Sequence, residues 1–339
     1  METRGVPAAR LGSTSAPGGT TDSEALRLIT RVAWLYHVRG FKQSQVADQL
    51  GLSQSRVSRL LDEAATLGIV RTVVRVPSGI QLELEQALQD AYGLAEARVF
   101  EVPDGADASL RHDLGRALGL YLAENPLEGD VIGLTSWSRT LREAIRDLEP
   151  SAARGSRYVV EMLGDVGAPD AQHEAALVTQ QLARLAGAEP RFLRVPGVVN
   201  SVEVRKTLLE HDAHAREALD LLNRVDEALV GIGSCQIDPP LRAGDNFFTE
   251  EQFERAKALG AVGQLNLRFI DAEGNAVISE LDDIVIGITL EQLRNCRRSI
   301  VVGGGASKYD AIRAALLGRW INTLVTDVST AKQLIEAAS

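Results

Sequence analysis

A chain of 339 residues, 45% hydrophobic and 24% charged, is long enough for two domains or one large α/β domain and has an ordinary globular composition. No run of about 18 apolar residues occurs, the first twenty residues lack an apolar secretory segment, and two cysteines are too few for a disulfide scaffold or a tetrahedral zinc site. A membrane span is thereby excluded, and a cytoplasmic protein without metal or cofactor is expected.

Residues 1–21 are rich in Gly, Pro, Ser and Thr, carry no hydrophobic period, and are expected to be a disordered tail. From Asp22 the apolar residues Leu26, Ile29, Val32, Ala33 and Tyr36 recur at three- and four-residue steps, which predicts a helix stopped by Gly40. Two more helices are predicted, over 43–50 and from Ser53 to about Leu67, the second ended by Gly68. Ile69–Val76 reads as a β ribbon closed by Pro77, Ser78 and Gly79, so 22–79 is expected to be a winged-helix-like domain. Residues 23–79 hold eight Arg and Lys against four Asp and Glu, although the whole chain carries −10. A small basic segment thus precedes a large acidic body.

Gln43–Leu61 has the spacing of a helix-turn-helix. Ala47 is small where two helices would cross, and Gly51, four residues on, permits a left-handed turn that a Cβ would penalise. Ser53 is a natural N-cap, which places Gln54, Ser55, Arg56, Ser58 and Arg59 on the first turns of the second helix. Donor-rich side chains there meet base edges and phosphates in a major groove, while Lys42 and Gln43 suit phosphate anchoring. On an ordinary helical hairpin the same residues would form a solvated face; the basic bias and the Ala/Gly spacing favour double-stranded DNA as the partner. One such module covers half a site, so self-association is expected, with the predicted helix near 80–92 as linker and subunit contact over 80–95.

From 96 to 339, short apolar runs alternate with helical stretches: Val131–Leu134, Tyr158–Leu163, Ala228–Ile232, Ile284–Ile288, Ile300–Val302 and Thr323–Val325. This pattern predicts a mostly parallel sheet with helices on both faces, and ligands beyond the carboxyl ends of its strands. Three loops follow such runs. The first offers Thr135, Ser136, Ser138, Arg139 and Thr140 at a helix start, where hydroxyls and a cation suit a phosphate or a polyol. Trp137 in that loop would stack on a sugar face or belong to the core. The second, Gly231–Cys235, contains Gly233, and Cys235 reads as a packed small side chain rather than a nucleophile. The third, Gly303, Gly304 and Gly305 followed by Lys308 on a helix predicted from about Ala306, gathers backbone N–H groups and a charge at one spot. It lacks the spacing of a nucleotide-binding P-loop. The alternative is that these glycines serve strand–helix packing. His211 and His214 stand three apart without a third ligand pattern and read as helix surface.

These residues resemble a known family. Val46–Ile69, with Leu61-Asp-Glu-Ala-Ala-Thr-Leu-Gly-Ile-Val-Arg at its end, is similar to the DNA-binding end of SorC/DeoR-type sugar-binding transcriptional regulators. Ile132-Gly-Leu-Thr-Ser-Trp-Ser-Arg-Thr-Leu, Gly260-Ala-Val-Gly-Gln-Leu with Arg268-Phe-Ile-Asp-Ala-Glu-Gly, Val302-Gly-Gly-Gly-Ala-Ser-Lys and Leu324-Val-Thr-Asp-Val-Ser-Thr-Ala resemble its ligand-domain motifs in order. The resemblance implies a C-terminal effector domain with a fold like glucosamine-6-phosphate deaminase and ribose-5-phosphate isomerase. It further implies a phosphorylated sugar or related metabolite as effector, relief of repression, and a tetramer. Within it, Gln264 stands where the central motif generally has an acid, and Ser138 where the first loop often has Gly. The alternative function, a sugar-phosphate isomerase or deaminase with an accessory N-terminal domain, needs a positioned acid and base that the strand-end loops do not offer. No catalytic residue is therefore expected.

Overall fold

The computed structural model describes residues 20–70, 80–102, 107–149, 152–237, 241 and 244–338. The chain divides into two units, Met1–Arg75 and Val76–Ser339.

In the first unit, α1 (Thr20–Ala33) runs into a π-helical turn (Trp34–Val38), followed by α2 (Gln43–Leu50) and α3 (Gln54–Thr66). Gly40, Gly51 and Gly68 all adopt positive φ and end the helices where the sequence places the stops. Val32, Val46, Val57, Leu60 and Ala64 are fully or almost fully buried and form the core of this unit. α1 begins two residues before the expected start. The ribbon expected over Ile69–Val76 lies outside the described residues from 71 on, as does the expected tail up to residue 19.

Among its described residues the second unit contains ten strands: β1 (Glu96–Phe100), β2 (Val131–Leu134), β3 (Tyr158–Glu161), β4 (Glu189–Arg191), β5 (Glu227–Val230), β6 (Ile232–Ser234), β7 (Ala261–Leu265), β8 (Arg268–Asp271), β9 (Arg298–Val302) and β10 (Thr323–Asp327). Its helices are α4 (Leu82–Tyr92), α5 (Asp107–Glu124), α6 (Arg139–Arg146), α7 (Pro169–Ala186), α8 (Val202–His211), α9 (Ala213–Leu222), α10 (Glu250–Ala258), α11 (Glu280–Asp283), α12 (Leu290–Arg294), α13 (Tyr309–Leu317) and α14 (Val328–Glu336). Seven strands form a parallel sheet in the order β1-β10-β9-β5-β2-β3-β4, and β6-β7-β8 form a small antiparallel sheet.

Strands covered on both faces must be apolar on both, which is why β2 and, after Glu227, β5 read as unbroken apolar runs rather than alternating ones. Successive residues then enter two cores. Val131, Val160, Ala228, Val230, Val301 and Leu324 face α4, α9, α12, α13 and α14, whereas Ile132, Val159, Leu229, Ile300, Val302 and Val325 face α5, α6 and α7. The helix expected as a linker, α4, buries Leu88 and Tyr92 in the first of these cores, and Tyr92 Oη donates to Leu334 O at 2.7 Å.

Two sequence expectations need correction. Ala228–Ile232 is not one strand, because the chain leaves the large sheet at Gly231 and enters the small one as β6. Ile284–Ile288 is not a strand: α11 ends at it, and Val285 and Gly287 make isolated bridges to Val198 and Leu163. Its apolarity reflects burial: its backbone bonds alternate between two separate segments, Ile286 N donating to Gly197 O and Ile288 N to Met162 O, and the Arg268 guanidinium takes Ile288 O at 3.1 Å and Gly287 O at 3.5 Å.

Candidate functional site

In the helix-turn-helix, Gly51 closes α2 at φ 66°, and its amide donates to Ala47 O. Ser53 caps α3, its Oγ accepting from Arg56 N at 3.2 Å. The cap orients the first turn outward. Gln54, Ser55, Arg56, Arg59 and Lys42 are exposed, while Ser58 and Gln43 are half-buried. Arg59 Nε donates back to Ser55 O at 3.3 Å, so its side chain lies along the helix. Lys42 N donates to Gln45 Oε1 at 2.9 Å, which fixes the start of α2.

In the second unit, the chain passes from β2 to β3 and β4 on one side and returns to β5 on the other. The carboxyl ends of β2 and β5 thus flank a switch in strand order, where a crevice forms. A cavity of about 330 Å³ lies there. Ser138, Arg139 and Thr140 reach it from the start of α6, Gly233 from β6, Gln264 from β7, Gly303 and Gly304 from the loop after β9, and Lys308 from the start of α13. Ser138 Oγ caps α6 by accepting from Leu141 N at 3.5 Å. Two helix N-termini therefore meet one cavity, each a partial positive charge.

Lys308 differs from its expected place. α13 begins at Tyr309 rather than near Ala306, which makes Lys308 the N-cap, and its Nζ donates to Ile232 O at 3.0 Å. Thr135, Ser136 and Gly305 were expected in the site, and the cavity lining does not include them. Thr135, fully buried, donates from Oγ1 to Asn266 Oδ1 at 2.9 Å and accepts from Gly231 N at 3.0 Å, tying the first loop to the second. Ser136 is buried beside it. The Gly305 amide donates to Thr330 Oγ1 at 2.8 Å and to Asp327 Oδ2 at 3.2 Å, so it is turned from the cavity toward the end of β10. Burial pushes the Cys235 thiol up to about 11, as befits a packed side chain.

The lining also contains residues that sequence reasoning missed: Leu110, Arg111 and Leu114 from α5, and Gln236, Ile237, Leu241 and Phe247. Trp137 is half-buried in the wall and packs edge-on against Phe247 with ring centroids 6.3 Å apart. Phe247, Phe248, Phe253 and Phe269 continue as one aromatic cluster behind it. At the seam between β7 and α13 the approach is so close that a Cβ on Gly263 would come within 2.5 Å of Ala311 Cβ.

Residues 77–336 match the family model described as "Putative sugar-binding domain". The chain is 33% identical over 314 residues to the deoxyribonucleoside regulator of Bacillus subtilis (strain 168), spanning 93% of this chain and 99% of that protein. It is 31% identical over 323 residues to the sorbitol operon regulator of Klebsiella pneumoniae, spanning 93% and 99%. The crystal structure of the full-length sorbitol operon regulator SorC from Klebsiella pneumoniae is similar with a TM-score of 0.66 at 28% identity, covering 92% of this chain and 99% of that one.

Proposed function

The chain belongs to the SorC/DeoR family of sugar-binding transcriptional regulators, and from that premise we propose that its effector is a phosphorylated sugar held in the cavity beyond β2, β5 and β9. The protein is a sugar-responsive transcriptional regulator, and its relatives are regulators rather than enzymes. The observation that carries the phosphate is the convergence of the α6 and α13 N-termini with Arg139 and Lys308 on one cavity. Backbone N–H groups at a helix start bind an oxyanion without reorganising, and a nearby cation adds a charge-assisted hydrogen bond. The fold we assign to this unit is that of glucosamine-6-phosphate deaminase and ribose-5-phosphate isomerase, whose strand-end loops are here given to binding.

Operator reading falls to α3. Gln54, Ser55, Arg56 and Arg59 contact bases and phosphates, with Ser58 beside them, and Lys42 and Gln43 anchor the backbone. The protein acts as a repressor released by its effector, and pairs with itself so that two modules span two half-sites. A thermal-shift screen of phosphorylated sugars against their unphosphorylated parents tests the ligand, because a compound that binds the folded state raises the melting temperature. Stabilisation by parents and phosphates alike would refute the phosphate reading. Adding a stabilising phosphate to the protein–operator complex tests the direction, and tighter operator binding would refute repression.

A further inference from the structure

The stretch Leu324-Val-Thr-Asp-Val-Ser-Thr-Ala, which carries β10 into α14, has no residue in the cavity lining, yet it is joined to a loop that does. Asp327 is buried and caps α14: its Oδ1 accepts from Thr330 N at 2.8 Å, and its Oδ2 accepts from Thr330 Oγ1 at 2.7 Å. A carboxylate only accepts, so the Thr330 hydroxyl gives its proton to Asp327 and keeps a lone pair with which to accept. Gly305 N donates to that lone pair at 2.8 Å and to Asp327 Oδ2 at 3.2 Å. The glycines of the loop suit this pair. A Cβ on Gly304 would collide with Asp327 Oδ2 and stand 3.3 Å from Thr330 Oγ1, and Gly305 adopts φ 81°, which favours a residue without a Cβ. Gly304 and Ser307 line the cavity, and their amides donate to no acceptor among the described residues. One N–H of the loop is thus tied behind it, while two at the cavity are left without a partner.

We propose that Asp327 and Thr330 are positioning residues: without touching the ligand, they hold the Gly303–Gly305 loop in the shape that presents the Gly304 and Ser307 amides to a phosphate. This rests on the reading that the effector's phosphate binds where the α6 and α13 N-termini meet. Glycine loses more conformational freedom on ordering than any other residue, and three stand here in a row. A loop already ordered in the free protein does not lose that freedom again when the ligand arrives. The clamp stands on β10, inside the seven-stranded sheet, and on the first turn of a capped helix, so its own geometry is fixed. The charge of Asp327 is met by Thr330 N, Thr330 Oγ1, Gly305 N and the positive end of α14, which limits its repulsion of a phosphate on the far side of the loop.

The test is calorimetric titration of the full-length protein with inorganic phosphate and with glucitol 6-phosphate. Thr330→Val keeps the shape of the side chain and removes its hydroxyl; it should weaken whichever probe binds by about fivefold or more, while operator affinity without the probe stays within about twofold. Thr330→Ser returns the hydroxyl and should bring probe affinity back to within about twofold of the parent. Equal probe affinity in the parent and Thr330→Val overturns the inference and leaves the phosphate reading standing, as does a loss that Thr330→Ser fails to restore. Hydrogen exchange of the parent protein reads the clamp without any variant: the Gly305 N–H should be protected before phosphate is added, and fast exchange there overturns the inference. If neither probe binds the parent, the phosphate reading falls and the inference falls with it.

Discussion

Arg56 and Lys42 are both exposed cations of the helix-turn-helix, yet their positions give them different work. Arg56 lies on the first turn of α3, where a guanidinium can pair bidentately with a guanine edge; Lys42 caps α2, where a phosphate is the natural partner. Arg56→Ala should therefore cost about 1–3 kcal/mol of operator affinity and relax preference at one base pair, whereas Lys42→Ala should weaken all sequences alike and lower the salt slope by about one. Gel-shift titrations on operator and random DNA at several salt concentrations would show either pattern, and unchanged affinity in both variants would dismiss the assignment. The two thiols make a second prediction. Burial raises Cys235 to about 11 and Cys296 to about 12, so at pH 8 the folded protein holds almost no thiolate. A chromogenic disulfide reagent at pH 8 should label neither in native protein and both in urea; because the folded values are raised, reactivity should appear only as the pH approaches them. At this scale the sequence was legible where a residue's role is local. Ser138 and Lys308 stand in the site because they border helix starts, but Thr135 looked the same and is instead drawn to Asn266, 131 positions away, through a contact that no local pattern encodes.

Gly51 decides the geometry between α2 and α3. At φ 66° a side chain is strained, and since nothing lies within 4 Å of the position a Cβ would take, the cost of Gly51→Ala is purely conformational, about 1–2 kcal/mol. Ser53→Ala removes the cap on Arg56 N and should cost about 1 kcal/mol. Urea denaturation followed through Trp34, the tryptophan of this unit, measures both, and operator affinity should fall with the cap since the cap orients the reading residues. These elements could be read from the sequence because their signals lie within a few residues of each other. The parallel sheet was legible for the complementary reason that its strands are apolar on both faces. The small sheet was not: β6 is three residues long and continues an apolar run from β5, and Ile284–Ile288 imitates a strand although it makes only isolated bridges and its last two carbonyls are held by an arginine from β8. α5 gave no sign that Arg111 faces the cavity, since only the order of strands in the sheet brings that helix over the end of β9.

For the whole molecule, a regulator responds to a ligand only as far as the ligand's binding energy differs between its two states. Lys308→Ala removes a charge-assisted bond on the order of 1.5–3 kcal/mol, or roughly ten- to a hundredfold in ligand affinity, without touching α2 or α3. Operator affinity without effector should match the parent, and the sugar phosphate concentration for half-response should rise by that factor; an identical half-response removes Lys308 from the site. The seam between Gly263 and Ala311 reaches further. Gln264 is the next residue on one side of it, and Lys308 caps the helix on the other, so the seam joins two sides of the cavity as the pivot of a pair of scissors joins its blades. Such a pivot takes a methyl group on one side only, because a Cβ on Gly263 would lie 2.6 Å from the Ala311 backbone Cα. Gly263→Ala should jam it and lower the melting temperature, Ala311→Gly should loosen it, and the two together should fail to restore the response, because the Ala311 Cα would still stand 2.6 Å from the new Cβ.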